Sequence, residues 1–235
     1  WAALNLGAPD RKVSFSVPTG NFGNVFAGYA AHRMGLPVEK FIVASNSNDI
    51  LTRFFETGEM QMAEVVQTLS PSMDIQISSN FERLLFEHYH RDGASVASAM
   101  MQFRSDGRVS FGKTRWKAMR RLFEGYQLGD NATRDAIAAL YRETGKLIDP
   151  HSVIGIMAGR AAKARSSFES PIISLATAHP AKFPSAIRDA TGHHPDLPSR
   201  LADLFERKER MVSLPNDITH VKSYITDRLA QREDG

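Results

Sequence analysis

The chain has 235 residues, 42% of them hydrophobic and 23% charged, with 16 glycines, 11 prolines and no cysteine. That is globular composition; it excludes collagen-like, disordered and disulfide-stapled scaffolds, and with no cysteine there is no thiolate chemistry. The 29 basic and 26 acidic residues leave a net charge of +3, too mild and too evenly mixed for a nucleic-acid or anionic-membrane partner.

The first residue is Trp1 rather than methionine, and Trp1 to Leu6 reads as the last turns of an apolar helix stopped by Gly7 and Pro9. This fits a chain cut from a longer protein as well as one trimmed at its start. No run reaches the ~18 apolar residues of a membrane span, and no signal peptide is recognisable. Val13, Phe15 and Val17 then alternate with Ser14 and Ser16, which predicts a strand. Phe22, Val25, Phe26 and Tyr29 follow at helical spacing, ending at Gly35 and Pro37, and Phe41 to Ala44 is a strand apolar on both faces, bounded by Ser45-Asn46-Ser47-Asn48. Together these make a βαβ unit with parallel strands. A helix from Asp49 to about Thr57 is stopped by Gly58.

Ser79-Asn80-Phe81-Glu82 has the pattern of a capping box, leading into a helix with Leu84 and Leu85 on its apolar side. Residues 94–144 read as almost wholly helical, in three pieces: Ala94 to Phe103, Lys113 to Tyr126 and Thr133 to Tyr141. Asp149-Pro150 starts a further helix, with an acceptor at the cap and proline at its first position. Pro171 to Ala176 restores a buried strand, a helix follows near Pro184 to Ala190, and from Leu197 onward the chain reads as charged and helical, broken at Leu214-Pro215-Asn216.

Three segments have the chemistry of a site. Gly20-Asn21-Phe22-Gly23-Asn24 lies between a strand and a helix, where small residues and the unpaired amides of a helix start favour a phosphate; a plain connecting turn has the same look. The third glycine of the dinucleotide fingerprint and the lysine of a P-loop are both missing. Thr177 follows the strand that ends near Ala176, and carboxyl ends of parallel strands are where open α/β sheets place ligands; it reads equally as a turn residue capping a helix. Asp149, His151 and Ser152 gather at a helix start, either as a cap or as the edge of a site. The histidines lack metal-ligand spacing, so no metal centre is expected.

Pro18-Thr19-Gly20-Asn21-Phe22-Gly23, Ser78-Ser79-Asn80-Phe81-Glu82-Arg83, Leu147-Ile148-Asp149-Pro150-His151 and Ala176-Thr177-Ala178-His179-Pro180-Ala181-Lys182-Phe183, in that order, resemble the threonine synthase family. The resemblance runs from near residue 1 to about residue 190. It implies an α/β fold of the tryptophan-synthase β type, with a parallel sheet and flanking helices, and pyridoxal phosphate as cofactor. It further implies conversion of O-phosphohomoserine and water into threonine and phosphate, as a cytoplasmic biosynthetic enzyme. By that resemblance Gly20, Asn21, Phe22, Gly23 and Asn24 hold the cofactor phosphate, with Asn24 where the family often has aspartate. Thr177 meets the pyridine nitrogen, and Asn80, Arg83 and His151 are candidates for the substrate's phosphate.

The family's Schiff-base lysine lies between a serine-phenylalanine pair and an aspartate, and none of the nine lysines here has that context. The expectation is therefore a carboxyl-terminal portion without a catalytic lysine. It would be inactive alone and would have the amino-terminal half of the same enzyme as partner. In this layout residues 1–93 and 147–192 build the cofactor domain, 94–146 a helical insertion and 193–235 a helical tail. A serine or threonine dehydratase, or a noncatalytic phosphate-ligand module, are the competing readings.

Overall fold

The computed structural model describes residues 1–165 and 169–233. In chain order come α1 (Ala2–Asn5), β1 (Val13–Pro18), α2 (Gly23–Arg33), β2 (Val38–Ser45), α3 (Ile50–Thr57), β3 (Glu59–Gln61), α4 (Phe81–His88) and α5 (Gly93–Asp106). They are followed by β4 (Arg108–Ser110), α6 (Lys113–Arg120), β5 (Phe123–Gln127), α7 (Asp130–Thr144), α8 (Pro150–Arg165), β6 (Ile172–Ser174), α9 (Pro184–Thr191) and α10 (Ile218–Glu233). The main sheet has the order β5-β2-β1-β6 with every neighbouring pair parallel, while β3 and β4 form a small antiparallel pair.

β1, α2 and β2 are the strand–helix–strand unit expected from the sequence, paired from Val13 opposite Val38 to Pro18 opposite Ala44. Successive residues of a strand face opposite sides, and both Ile42 and Val43 are fully buried, so the sheet is covered on both faces. On one side Phe41 and Val43 pack with Phe54, Phe55 and Phe81. On the other, Ile42 and Ala44 meet Ile154, Ala158 and Ala162 of α8. That helix comes close where β1 turns the small side chain of Ser16 toward it. Ser16 Oγ donates to the Gly155 carbonyl at 2.6 Å, and a Cβ on Gly155 would lie 2.8 Å from Pro18 Cδ.

Residues 94–144 are not wholly helical. The helix expected from Lys113 to Tyr126 stops at Arg120, and residues 123–127 form β5, paired with β2 from Phe41 opposite Phe123 to Ser45 opposite Gln127. Long-range packing overrides the local signal here. The Phe123 ring stacks on Phe41 at 5.4 Å and on Phe55 at 5.8 Å, and a Cβ on Gly125 would lie 2.6 Å from Thr52 Cα. The stretch read as a helical insertion therefore supplies an edge strand of the main sheet, and the first compact unit runs unbroken from Trp1 to Asp196.

A second compact unit begins at Leu197. The sequence there reads as helical, but apart from a single 3-10 turn at Ser199–Leu201 no helix forms before Ile218. Residues 202–217 are exposed throughout, so no buried apolar face exists to hold a helix in place. Among the described residues, no helix is long and apolar enough to cross a membrane.

Candidate cofactor-phosphate site

Because the four strands run in parallel, the loops after β1, β2, β5 and β6 all leave the same edge of the sheet. Thr19 to Gly23 leads from β1 into α2, and its shape is set from below. Phe22 adopts a left-handed backbone, φ 62°, which a bulky residue takes only when its surroundings compensate. Its ring is fully buried, edge-on to Phe81 at 5.2 Å and 5.9 Å from Phe123. Thr19 Oγ1 accepts the Phe22 N–H at 2.9 Å, which closes the turn.

That bond also changes the part assigned to Phe22. Its amide is already used inside the chain, so Phe22 shapes the loop and offers no donor to a ligand. Among the described residues, no acceptor takes the N–H groups of Gly20, Asn21, Gly23 or Asn24. Asn21, Gly23 and Asn24 are exposed, and the first turn of α2 contains no acidic side chain. Free amides at the start of an eleven-residue helix have the chemistry that suits an anion.

The absence of a side chain at Gly20 serves a different purpose from the one expected. A Cβ there would lie 2.9 Å from Met73 Cα and 3.1 Å from the Ser72 carbonyl oxygen, so the bare backbone of Gly20 makes room for the chain itself. The 70–74 segment that presses on it is knotted to the end of β2. Asp74 Oδ1 accepts from Asn46 Nδ2 at 2.7 Å, Asn48 Nδ2 at 2.9 Å and Thr68 Oγ1 at 2.7 Å, and Asp74 Oδ2 accepts the Thr68 N–H at 2.9 Å. Sequence reasoning took Ser45-Asn46-Ser47-Asn48 as a strand boundary. Polar residues directly after a doubly buried strand were the available signal, but their partner lies 26 residues on from Asn48.

The Ser78–Arg83 segment lies beside the same loop. The expected capping box does not form: Asn80 stands at the N-cap of α4 without a side-chain cap bond. Ser79 instead donates its N–H and its hydroxyl to Asn21 Oδ1, at 2.7 and 2.9 Å. Asn80 is half-buried, with Nδ2 3.5 Å from where a Cβ on Gly23 would be. Arg83 is exposed and lies over the Phe26 ring at 5.9 Å.

On the neighbouring strand, β6 pairs with β1 up to Ser174 opposite Ser16, and Thr177 follows as an exposed residue at the same sheet edge as the 19–24 loop. Asp149 caps α8, as its sequence context predicts. Its Oδ1 accepts the N–H groups of His151 at 2.9 Å and Ser152 at 3.2 Å, and its Oδ2 accepts the Ser152 hydroxyl. Burial pushes the Asp149 carboxyl up, but the contacts from His151 and Ser152 outweigh it and hold the group below the usual carboxylate range. His151 is not placed to meet a substrate. It is only 4% exposed, with its ring against Phe183 at 4.8 Å, and although Nδ1 lies 3.2 Å from Asp149 Oδ1, neither ring nitrogen makes a hydrogen bond among the described residues.

The family model described as "Threonine synthase, C-terminal" matches residues 152–225. The threonine synthase of Pseudomonas aeruginosa is 49% identical over 226 residues, covering 96% of this chain and 48% of the relative. The chain belongs to the threonine synthase family.

The backbone agrees with solved members of that family. A PLP-bound threonine synthase from Brucella melitensis superposes with a TM-score of 0.87 at 49% identity, over 95% of this chain and 48% of the other. The yeast threonine synthase structure gives 0.85 at 33% identity, over 98% and 50%. The chain thus spans about half the length of the threonine synthases it matches. The family-model match takes in Thr177, while the 20–24 loop and the Ser78–Arg83 segment precede it.

Proposed function

We propose that this chain is the carboxyl-terminal portion of a pyridoxal-phosphate-dependent threonine synthase, a cytoplasmic lyase of threonine biosynthesis that converts O-phospho-L-homoserine and water into L-threonine and phosphate. The observation that supports it best is the 20–24 loop, whose amides other than that of Phe22 have no acceptor within the described residues, set on the same sheet edge as Thr177. The donor set suits the cofactor at both ends: uncommitted amides and a helix start for a phosphate, and an exposed hydroxyl for a ring nitrogen.

In this reading Gly20, Asn21, Gly23 and Asn24 would hold the cofactor phosphate, with Phe22 keeping the loop in shape. Thr177 would meet the pyridine nitrogen and fix the tilt of the ring. When bound, pyridoxal phosphate supplies the electron sink for proton removal at the substrate's α-carbon. Arg83 and Asn80, which adjoin the loop, would receive the substrate's phosphate; a guanidinium with no carboxylate partner among the described residues suits that anion. Asn24 leaves the loop without negative charge, so it does not repel a phosphate. The lysine that would move the proton has no counterpart here by sequence context, so the amino-terminal half of the enzyme would supply it and this chain alone would be inactive.

Complementation tests the proposal. This chain, mixed with an amino-terminal half carrying the lysine, is expected to give a cofactor absorbance band and release phosphate from O-phosphohomoserine. Neither signal appearing would overturn the proposal, and release of ammonia in place of phosphate would make the enzyme a dehydratase. Cofactor binding by this chain alone, unchanged by the added half, would point to a noncatalytic module.

A further inference from the structure

We propose that Ser152 is a positioning residue for Thr177, acting as a hydroxyl whose proton is directed away by Asp149 so that its lone pair faces the Thr177 backbone. This rests on the reading of Thr177 as the partner of the cofactor's ring nitrogen.

The geometry is a relay of two bonds. Ser152 Oγ donates to Asp149 Oδ2 and accepts the Thr177 N–H at 3.2 Å. A hydroxyl has one proton, and an ionised carboxylate is an acceptor only, so the proton goes to Asp149 and the oxygen is left as an acceptor for Thr177. Asp149 is itself immobilised by the His151 and Ser152 N–H groups. Ser152 is 2% exposed, so little of it meets bulk water.

Little else holds Thr177. The last ladder bond before it is Leu175 N–H to the Ser16 carbonyl, at 3.0 Å. Among the described residues, the bond to Ser152 is the only one that an N–H of residues 176–179 makes to another element. The segment also borders a cavity of about 330 Å³, lined by Asp149, Ser152, Ala176, Ala178 and His179, so packing does not substitute for the missing bonds. A side chain that must meet a ring nitrogen thus sits on a span anchored by one hydroxyl. The anchor belongs to α8, which is locked against β1 at Gly155.

Two measurements test this. In the 235-residue chain alone, Ser152→Ala is expected to speed hydrogen exchange at the Thr177 amide about tenfold, the effect of one neutral hydrogen bond, with the amides of β1 unchanged. Ser152→Thr keeps the hydroxyl and should exchange like the parent. Ser152→Cys, with a weak acceptor, should fall between, and it replaces the alanine variant if that one fails to fold.

In the pair reconstituted with the amino-terminal half, Ser152→Ala should shift the cofactor absorbance in the same direction as Thr177→Val. The double variant should shift it no further, whereas Ser152→Ala and Asn24→Ala should be additive. Unchanged exchange at Thr177, or additive effects of Ser152→Ala and Thr177→Val, would overturn the proposal. If the unmodified pair shows no cofactor band, the reading of the site fails, and the exchange result alone decides whether Ser152 holds Thr177.

Discussion

Asn21 Oδ1 accepts two hydrogen bonds from Ser79, from its N–H at 2.7 Å and its hydroxyl at 2.9 Å, joining the loop after β1 to the start of α4. One side chain thereby aligns two segments that the sequence separates by 58 positions. Asn21→Ala should leave the fold in place, at a cost of about 1 kcal/mol, because Ser79 is exposed and water replaces the lost acceptor. Pyridoxal phosphate affinity of the reconstituted pair, followed by absorbance titration, should fall several-fold. An unchanged affinity would show that the loop holds its shape without Ser79.

Gly20 and Gly23 should respond differently to alanine. At Gly20 the new methyl would meet backbone, Met73 Cα at 2.9 Å and the Ser72 oxygen at 3.1 Å, and backbone does not yield cheaply. Gly20→Ala should destabilise the chain by about 1–3 kcal/mol, read as a lower midpoint in urea. At Gly23 the nearest atom is Asn80 Nδ2 at 3.5 Å, an ordinary contact. Gly23→Ala should therefore keep a near-parental midpoint, so that any loss of cofactor affinity it causes belongs to the binding site.

Asp74 collects four hydrogen bonds, and two of its donors, Asn46 and Asn48, are buried. Asp74→Ala would take one acceptor from each of those amides, which keep bonds to Ser70 and to the Val66 carbonyl, so the cost in chemical denaturation should be about 1–2 kcal/mol. Asp74→Asn can keep an oxygen toward the two amides but then turns its NH2 toward the Thr68 N–H, so it should lie between alanine and the parent.

The Asp149 carboxyl is held below its ordinary value, since hydrogen bonding to its charged form outweighs burial. The unfolded chain therefore binds a proton at Asp149 more readily than the folded one. The stability this group contributes is fully present above an unfolded value of about 3.9 and is lost as pH falls through the lower folded value. In Asp149→Asn, which still accepts from Ser152, the acid limb of the stability profile should be shallower. Urea midpoints measured from pH 6 down to pH 3 check this, and identical slopes in parent and variant would refute it.

Much of the fold was legible where the signal is local. The alternation over residues 13–17, the doubly apolar run at 41–44 and the helical stripe between them each reflect burial on a repeating face, and they appear as β1, β2 and α2. The N-cap at Asp149 was legible for the same reason, since a cap acts within one turn of its helix. β5 was not, because Phe123 and Gly125 are strand residues only by virtue of Phe41, Phe55 and Thr52. Ser79 resembled a helix cap because the residue it actually pairs with lies in another segment.

The sequence alone determined the class of the chain, its parallel sheet, the loop and threonine that make up the candidate site, and the family that those motifs resemble. These follow from residue types acting on close neighbours along the chain. Tertiary structure decided how each of those residues is used: that Phe22 gives its amide to Thr19, that Gly20 makes room for Met73, that His151 is buried beneath Phe183, and that Ser152 holds Thr177. A hydrogen bond or a steric contact is settled by which atoms meet across the fold, and most of these partners become neighbours only once the sheet and its helices have packed.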